Sequence, residues 1–263
     1  MNNTKKILIG IMVLLILKAI YPTNENFANM GYIFEINDNY KLRRVNKDIL
    51  IIDNFYKHPE RVLRYAVTNR HNFFTHKSIY KNQCLNPRLY YNKSTNFTDF
   101  FEEVLEKRVS KKVWNWYVKN GSNGWIQYNT SNIKPLIHSD NSFVARKIDP
   151  ETNWGVVIYL KKNPEKHSGT GFYIHNASNL KEIPKKSYVD NLDFKTRKRL
   201  KGYLDNDFNE HSDSDKFTQY YECKNVYNRM VLFKASLFHC ALNSYGTNLK
   251  NSRFFQTFFL KMV

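Results

Sequence analysis

Two segments in the first half of the chain carry apolar residues at helical spacing. The first starts at Pro59, a residue favoured in the first turn of a helix, and the second starts near Asp99. Glu102 stands three residues after Asp99, the arrangement of a reciprocal cap at a helix start. The apolar positions that follow are Val62, Leu63 and Ala66 in the first segment and Phe101, Val104, Leu105 and Val109 in the second. The pattern predicts two helices that each pack through one face.

The remaining apolar positions form short runs rich in β-branched and aromatic residues, with turn-rich segments between them. These runs are 48–53, Trp125–Tyr128, Gly155–Leu160, Gly169–His175, Arg229–Lys234 and Arg253–Leu260. Several short strands separated by turns are typical of a sandwich or jelly roll rather than of alternating β/α units. We therefore predict an α+β chain with a mainly β core and flanking N-terminal helices. The charged stretch 177–224 breaks the series, and we predict that it is an insertion between strands.

The N-terminal segment has the pattern of a targeting sequence. Two lysines precede an unbroken apolar run, Ile7–Leu17, which Lys18 interrupts. Basic residues followed by a short apolar stretch are typical of a signal peptide or an uncleaved signal anchor, and a buried N-terminal helix is the alternative. We predict that residues 1–22 form a signal anchor or signal peptide. The chain is then expected to be membrane-anchored or in the secretory pathway rather than cytoplasmic, with this segment contacting the membrane.

The rest of the chain is predicted to be one folded unit after a polar connection. Residues 23–47 are polar and are predicted to be a linker, and residues 48–263 are predicted to be a single domain. Three cysteines, Cys84, Cys223 and Cys240, allow one disulfide with a leftover thiol or three free thiols. The sequence leaves both arrangements open.

Composition narrows the classes of function. An aromatic content of 16% argues against a disordered chain, and nine glycines without a GxGxxG or Walker run argue against a phosphate-binding loop. The net charge of +18 first suggests a nucleic-acid binder. The basic residues are spread, however, over Lys41–Arg44, Lys107–Lys112, Lys161–Lys166 and Lys181–Lys201, without aromatic residues that would stack on bases. Nucleic acid is therefore not expected as a partner, while an acidic partner near 177–224 stays open.

One triplet carries the chemistry. His138-Ser139-Asp140 follows a predicted strand, and residues i and i+2 of a strand point to the same side. His239 comes a hundred residues later, at the end of another apolar run. Two histidines and one carboxylate form the facial triad that leaves three positions open on Fe(II). The alternative is a buried His–Asp pair with an unrelated His239. A second His-Ser-Asp triplet, 211–213, lies in a polar stretch and is predicted to be a loop.

Arg253 is the candidate for binding an anion. It opens the apolar run that ends at Leu260, so its guanidinium is expected to point into the domain. A buried guanidinium requires an anionic partner, and a dicarboxylic cosubstrate would supply one through a fork-to-carboxylate contact. The alternative is an ordinary surface or salt-bridged arginine.

These residues resemble a known family. The segments Trp125–Tyr128, Pro135–Asp140 and Asn228–His239, with Arg253 after them, are similar to prolyl-4-hydroxylase-type 2-oxoglutarate/Fe(II) dioxygenases. From about Asp48 to Leu260 the chain is similar to an uncharacterised branch of that superfamily. The resemblance implies a double-stranded β-helix (jelly roll) with flanking helices.

The same resemblance implies the site. Fe(II) would be held by His138, Asp140 and His239, which are the expected catalytic and metal residues, and Arg253 would bind the distal carboxylate of the cosubstrate 2-oxoglutarate. Tyr128 is a candidate, by position, for a second hydrogen bond to the cosubstrate. Where the superfamily often has a serine two residues after the arginine, this chain has Phe255.

Three classes of function are compatible with the sequence. The first is a dioxygenase that hydroxylates a protein side chain or a small molecule. The second is a catalytically inactive jelly-roll protein with a binding or structural role, associated with a membrane or a virion. The third is a basic nucleic-acid binder, whose affinity would fall steeply with salt.

Overall fold

The computed structural model describes residues 30–75, 82–86, 97–120, 123–133, 136–141, 152–206 and 214–263. The targeting segment predicted for residues 1–22 and the loop predicted for 211–213 lie outside these ranges. Within them, no helix combines the length and the hydrophobicity needed to cross a bilayer.

The described chain folds into two antiparallel sheets and a small number of helices. The helices are α1 (Met30–Ile33), α2 (Pro59–Thr68), α3 (Phe97–Leu105), α4 (Lys111–Asn120), α5 (Lys186–Asp190) and α6 (Phe194–Asn206). The strands are β1 (Lys41–Arg44), β2 (Ile49–Asp53), β3 (Phe74–Thr75), β4 (Gln83–Leu85), β5 (Ile126–Asn129), β6 (Trp154–Tyr159), β7 (Thr170–His175), β8 (Phe217–Cys223), β9 (Arg229–Lys234), β10 (His239–Ala241) and β11 (Arg253–Leu260). The mainly β character predicted from the sequence is confirmed.

The two sheets differ in size. The large sheet has the order β1-β2-β9-β6-β11-β5-β4-β3, and the small sheet has the order β10-β7-β8. His138 adds a single bridge to His239 on the free side of β10. From β5 onward the chain therefore alternates between the sheets: β5 large, His138 small, β6 large, β7 and β8 small, β9 large, β10 small and β11 large.

Packing of the inner faces joins the two sheets. Ile51, Val231 and Phe233 of the large sheet share one buried cluster with Phe172 and Cys223 of the small sheet. Alternate residues of the large sheet point the other way, because successive side chains of a strand lie on opposite faces. Each fully buried side chain of this size contributes about 1.5–3 kcal/mol through the apolar surface removed from water.

Helices cover both outer faces. The helices α2 and α3 pack on the outer face of the large sheet, where Val62 and Phe101 join Leu232 and Phe258. On the small sheet, α5 and α6 supply side chains to a third buried cluster, which contains Val189, Leu200, Phe217 and Phe238. The two helices of the charged stretch 177–224 thus cover the small sheet.

The predicted strands are confirmed to within one residue at each end. Two segments predicted to lie outside the strands each contain one in the structure. The linker 23–47 contains α1 and β1. The four residues of β1 are all exposed, and their backbone partners come from β2. The insertion 177–224 contains β8, which pairs with β7 in the small sheet. Both are edge strands with polar exposed positions, so neither shows the apolar alternation by which strands are predicted.

The predicted helix starting at Pro59 is confirmed, but the predicted role of Glu102 is wrong. The helix α3 starts at Phe97, and Glu102 accepts a hydrogen bond from the backbone N–H of Val109 at 2.9 Å and pairs with Arg108 at 3.1 Å. Its carboxylate therefore fixes the turn after the helix instead of capping the helix start. The helix α4 was not predicted, because its sequence KKVWNWYVKN mixes buried and half-buried aromatic residues with polar ones and shows no clear apolar repeat.

Candidate metal centre

His138 and His239 face each other across a strand pairing. The backbone N–H of His138 donates to the carbonyl of His239 at 3.0 Å, and the N–H of His239 donates to the carbonyl of His138 at 2.9 Å. On its other side β10 pairs with β7, His239 opposite Phe172. Because residues directly opposite each other in an antiparallel pair point to the same side, the two imidazoles emerge together. Their ring centroids lie 4.4 Å apart.

The carboxylate of Asp140 lies between the two imidazoles. His138 Nε2 is 3.6 Å from Oδ1 of Asp140, and His239 Nε2 is 3.5 Å from Oδ2. One ligand atom from each of the three residues lies within 4.8 Å of the others. Two imidazole nitrogens and a carboxylate oxygen thus converge on one point, in the set of side chains that non-haem Fe(II) sites use.

The other nitrogen of each ring is bound to nearby backbone. His138 Nδ1 lies 2.8 Å from the carbonyl oxygen of Leu136, and His239 Nδ1 lies 2.9 Å from that of Leu237. A carbonyl oxygen only accepts, so each Nδ1 carries the hydrogen, and in a neutral ring the lone pair of Nε2 then faces the centre. Hydrogen bonds of this kind fix the orientation of metal-binding histidines.

The turn that carries Asp140 is tied to the end of β9. Ser139 Oγ donates to the carbonyl of Ala235 at 2.9 Å, and the backbone N–H of Asn141 donates to the same carbonyl at 3.1 Å. The N–H of Asn141 also lies 3.2 Å from Ser139 Oγ. The residues on both sides of Asp140 are therefore anchored to the strand that leads to His239.

Burial and mutual charge set the protonation of the cluster. Burial lowers the pKa of His239 to about 4, with Asp140 opposing the shift and His138 adding to it. Burial alone would raise the pKa of Asp140, but the two histidines hold it below its usual value. At neutral pH the cluster therefore contains a neutral His239 and an ionised Asp140. In the described part of the chain no lysine or arginine pairs with this carboxylate.

Arg253 is buried without a carboxylate partner among the described residues. It is 3% exposed, its Nε donates to the carbonyl of Ser168 at 2.9 Å, and its Nη2 lies 3.4 Å from the carbonyl of Gly169. The guanidinium carbon lies 5.6 Å from the ring centroid of Tyr159 and 4.6 Å from that of Phe255. Burial lowers the pKa of Arg253, yet a guanidinium stays charged at neutral pH. The large sheet therefore carries a buried cation that an anion would neutralise.

Asn129 stands beside Arg253 and was missed by the sequence reasoning. The two residues are direct partners in the pairing of β5 with β11, so their side chains share the inner face of the large sheet. Oδ1 of Asn129 is buried without a hydrogen-bond partner in the described structure, as is Oγ of Ser252. The strand register, which the sequence does not reveal, is the signal that would have identified Asn129.

Tyr128, predicted to contact the cosubstrate, lies on the opposite face of the sheet from Arg253. Its direct partner in β11 is Phe254, one residue away from Arg253. Its ring packs against Phe73 with centroids 5.3 Å apart, in the cluster beneath the helices. The physical reason is the two-residue repeat of a strand, because a difference of one position moves a side chain to the other face.

Comparisons with known proteins give one sequence family and several similar structures. A profile of a family of unknown function (DUF6445) matches residues 37–253, a range that includes the His–Asp–His cluster and ends at Arg253. No curated protein matches the sequence.

Two of the similar structures are prolyl hydroxylases. A prolyl 4-hydroxylase from Phytophthora capsici has a TM-score of 0.41 at 14% identity, and the match covers 83% of this chain and 60% of that one. The chain thus spans three fifths of that protein. A prolyl hydroxylase from Trichoplax adhaerens, in complex with a peptide fragment of the hypoxia inducible factor oxygen degradation domain, has a TM-score of 0.40 at 11% identity, with coverages of 82% and 84%.

A third similar structure is HygX from Streptomyces hygroscopicus with nickel, 2-oxoglutarate and hygromycin B bound. Its TM-score is 0.43 at 11% identity, and the match covers 81% of this chain and 82% of HygX.

Proposed function

This chain belongs to DUF6445, a family of unknown function, and we propose that it is an Fe(II)- and 2-oxoglutarate-dependent dioxygenase that hydroxylates its substrate. The observation that carries the proposal is the convergence of His138, Asp140 and His239, whose ligand atoms lie within 4.8 Å of one another. We assign the double-stranded β-helix as the fold, because the chain alternates between two facing sheets from β5 to β11.

The donor set fits a divalent cation. Asp140 supplies one negative charge in a buried site, and the described structure gives it no cationic lysine or arginine as a partner. His239 is neutral at physiological pH, the form in which imidazole binds metals. Because the Nδ1 hydrogens are already bonded to backbone, both rings are oriented before any ion arrives.

The surroundings of Arg253 fit a carboxylate. The guanidinium is buried, and Oδ1 of Asn129, the direct partner of Arg253 in the strand pairing, has no hydrogen-bond partner in the described structure. A guanidinium binds a carboxylate through two parallel hydrogen bonds, and the Asn129 amide can donate a third. We propose that Arg253 and Asn129 bind the distal carboxylate of 2-oxoglutarate.

Each group in the site then has a role in binding or orientation. His138, Asp140 and His239 hold the metal, Arg253 neutralises the cosubstrate, and Phe172 and Phe233 exclude water from the side of His239, with ring centroids 6.4 and 4.5 Å from its own. Fe(II) and 2-oxoglutarate, when bound, supply the oxidation of a substrate C–H bond to an alcohol, while O₂ is consumed and 2-oxoglutarate becomes succinate and CO₂. The substrate is proposed only as a protein side chain or a small molecule.

Metal and cosubstrate binding test the proposal directly. Anaerobic titration of the purified protein with Fe(II) is expected to give one site per chain, and adding 2-oxoglutarate is expected to give the visible absorption of a 2-oxo acid chelated to Fe(II). Both signals should be lost in His138→Ala and Asp140→Ala and kept in His167→Ala, which changes an exposed histidine.

Three results distinguish the alternatives. Succinate release in the presence of O₂, dependent on the three residues, supports the dioxygenase. Tight metal binding without 2-oxoglutarate consumption over a broad substrate panel would instead indicate a binding or structural protein. Absence of Fe(II) binding would overturn the proposal.

We also propose that residues 1–22 attach the chain to a membrane or direct it to the secretory pathway. The support is the apolar run after two lysines. Fractionation of cells expressing the full chain, with and without these residues, tests it. The full chain should sediment with membranes or acquire secretory-pathway modification, and recovery of both forms in the cytosolic fraction would contradict the proposal.

A further inference from the structure

The helices α5 and α6 form a rigid layer on the small sheet. Val189 of α5 and Leu200 of α6 are buried in the cluster beneath them. Arg197 closes the turn between the helices, because its Nη2 donates to the backbone carbonyls of Asp190 at 2.6 Å and Leu192 at 2.8 Å. Arg197 therefore holds the turn between the two helices in place.

The outward side carries cations without internal partners. Phe194, Lys198 and Lys201 recur at i, i+4 and i+7 of α6 and so form one stripe, with Lys195 next to it. All four residues are exposed, and within the described ranges none of the three lysines pairs with a carboxylate. We name Tyr188, Phe194, Lys195, Lys198 and Lys201 the α5–α6 surface.

Exposed aromatic side chains accompany these lysines. Phe194 is 81% exposed and Tyr188 is 56% exposed. Tyr188 also lines a groove of about 420 Å³. The other residues of the groove are Leu180, Glu182, Pro184, Lys185, Ser187 and Asn191. Phe194 follows Tyr188 by six residues, across the turn that Arg197 closes, and exposed apolar side chains that are not simply scattered singly over a surface mark a contact site.

We propose that the α5–α6 surface docks an acidic polypeptide segment that also carries apolar side chains. Charge complementarity favours this occupant, because three exposed lysines stand on α6 without an ion-pair partner among the described residues, while Pro184 and Tyr188 give the groove apolar walls. A polypeptide can offer a backbone N–H to Glu182 in the groove while its carboxylates reach the lysines. A lipid surface is too flat to enter the groove, and a phosphate backbone has no donor for Glu182. The proposal is independent of the metal centre.

Binding of a labelled random glutamate–tyrosine copolymer to the full chain tests the proposal. We expect saturable binding by fluorescence anisotropy that weakens with added salt, since the attraction is between exposed charges. The triple variant Lys195→Glu, Lys198→Glu, Lys201→Glu should lower the affinity by about ten-fold or more in about 0.1 M salt. The matched control reverses three exposed lysines elsewhere, Lys107→Glu, Lys112→Glu and Lys119→Glu, and should stay within about two-fold of the wild type.

A second variant separates the apolar contact from the charge. The double variant Tyr188→Ser, Phe194→Ser should lower the affinity for the copolymer by about five-fold. The salt dependence of binding should stay unchanged, because the double variant removes apolar area and no charge. Thermal unfolding verifies that each variant is folded. The proposal is overturned if the wild type does not bind the copolymer, or if the two triple variants lose affinity equally. It is also overturned if phosphatidylserine vesicles or single-stranded DNA bind more tightly than the copolymer and if the same variants abolish that binding.

Discussion

Gly155 of β6 leaves the space that the carboxylate of Asp140 occupies. A Cβ atom at position 155 would stand 2.7 Å from Oδ2 of Asp140 and 3.0 Å from the ring of Phe233. Real Cβ atoms do not approach other heavy atoms this closely, so any larger residue would displace the carboxylate or the ring. The absence of a side chain in β6 is thus part of how the metal cluster is built.

Gly155→Ala is therefore expected to weaken metal binding. Moving Asp140 by a few tenths of an ångström should lower the Fe(II) or Co(II) affinity by about ten-fold or more, the size of effect seen when groups that orient metal ligands are changed. The matched control is Gly202→Ala in α6, where a Cβ would meet nothing within 4 Å. Anaerobic titration of both variants checks the prediction. An unchanged affinity in Gly155→Ala would mean that the site tolerates the displacement.

The metal-free protein should lose stability as the pH falls. Burial lowers the pKa of His239 from 6.5 to about 4, so between these values the unfolded chain binds a proton that the folded chain excludes. The contribution of His239 is fully present above about pH 6.5 and is lost progressively toward pH 4, by about 3 kcal/mol in total.

Urea unfolding at several pH values measures this contribution. The free energy of unfolding of wild type minus that of His239→Asn should decrease from pH 7 to pH 4. The same difference for His167→Asn, which changes an exposed histidine, serves as the control. A difference for His239→Asn that does not vary with pH would show that the folded chain protonates this residue normally.

Arg253→Met should separate cosubstrate binding from metal binding. The change removes the buried cation without touching the three metal-binding side chains, so Fe(II) affinity should stay within about two-fold while 2-oxoglutarate affinity falls by about a hundred-fold. Because the guanidinium has no carboxylate partner in the described structure, the thermal stability of the metal-free variant should be equal or higher. Calorimetric titration and thermal unfolding measure these effects. Unchanged 2-oxoglutarate affinity would remove Arg253 from the cosubstrate site.

Two adjacent residues of β5 provide a test of the strand register. Asn129→Ala should lower the affinity for 2-oxoglutarate by about ten-fold, because Asn129 shares the inner face with Arg253. Tyr128→Phe should leave the affinity within about two-fold, because Tyr128 packs under the helices on the other face. The same calorimetric titration applies to both variants. The opposite ranking would show that the cosubstrate reaches the outer face.

Local sequence pattern predicted most strands but not the partners of each strand. The run Arg229–Lys234 contains four consecutive apolar residues, Met230 to Phe233, so the strand β9 could be recognised from its own residues. The exposed strand β1 has no such pattern, and it is a strand only because β2 offers it backbone partners. The spacing of His138 and Asp140 likewise indicated that they share a side, and the position of His239 at the end of another apolar run made it the candidate third ligand, but the pairing of His138 with His239 that joins them is visible only in the structure.

Tyr128 shows why the remainder of the site could not be predicted. Which residue of β5 lies opposite Arg253 depends on the register with β11, and nothing within either strand specifies that register. The same limit applies to Gly155, whose importance depends on the position of a turn fifteen residues earlier in the chain. Contacts between distant segments are set by the packing of the whole domain, so patterns along the chain do not reveal them.

The hydrogen bonds from His138 to Leu136 and from His239 to Leu237 have a consequence for how this site can change over time. In both cases the partner is the carbonyl two residues upstream, so each ligand is aimed by its own short segment. Substitutions elsewhere in the domain can therefore reshape the substrate pocket without redirecting the two imidazoles. Selection for a new substrate and selection for the orientation of the two imidazoles therefore act on different residues. The two histidine segments can be retained while the residues that line the substrate pocket diverge.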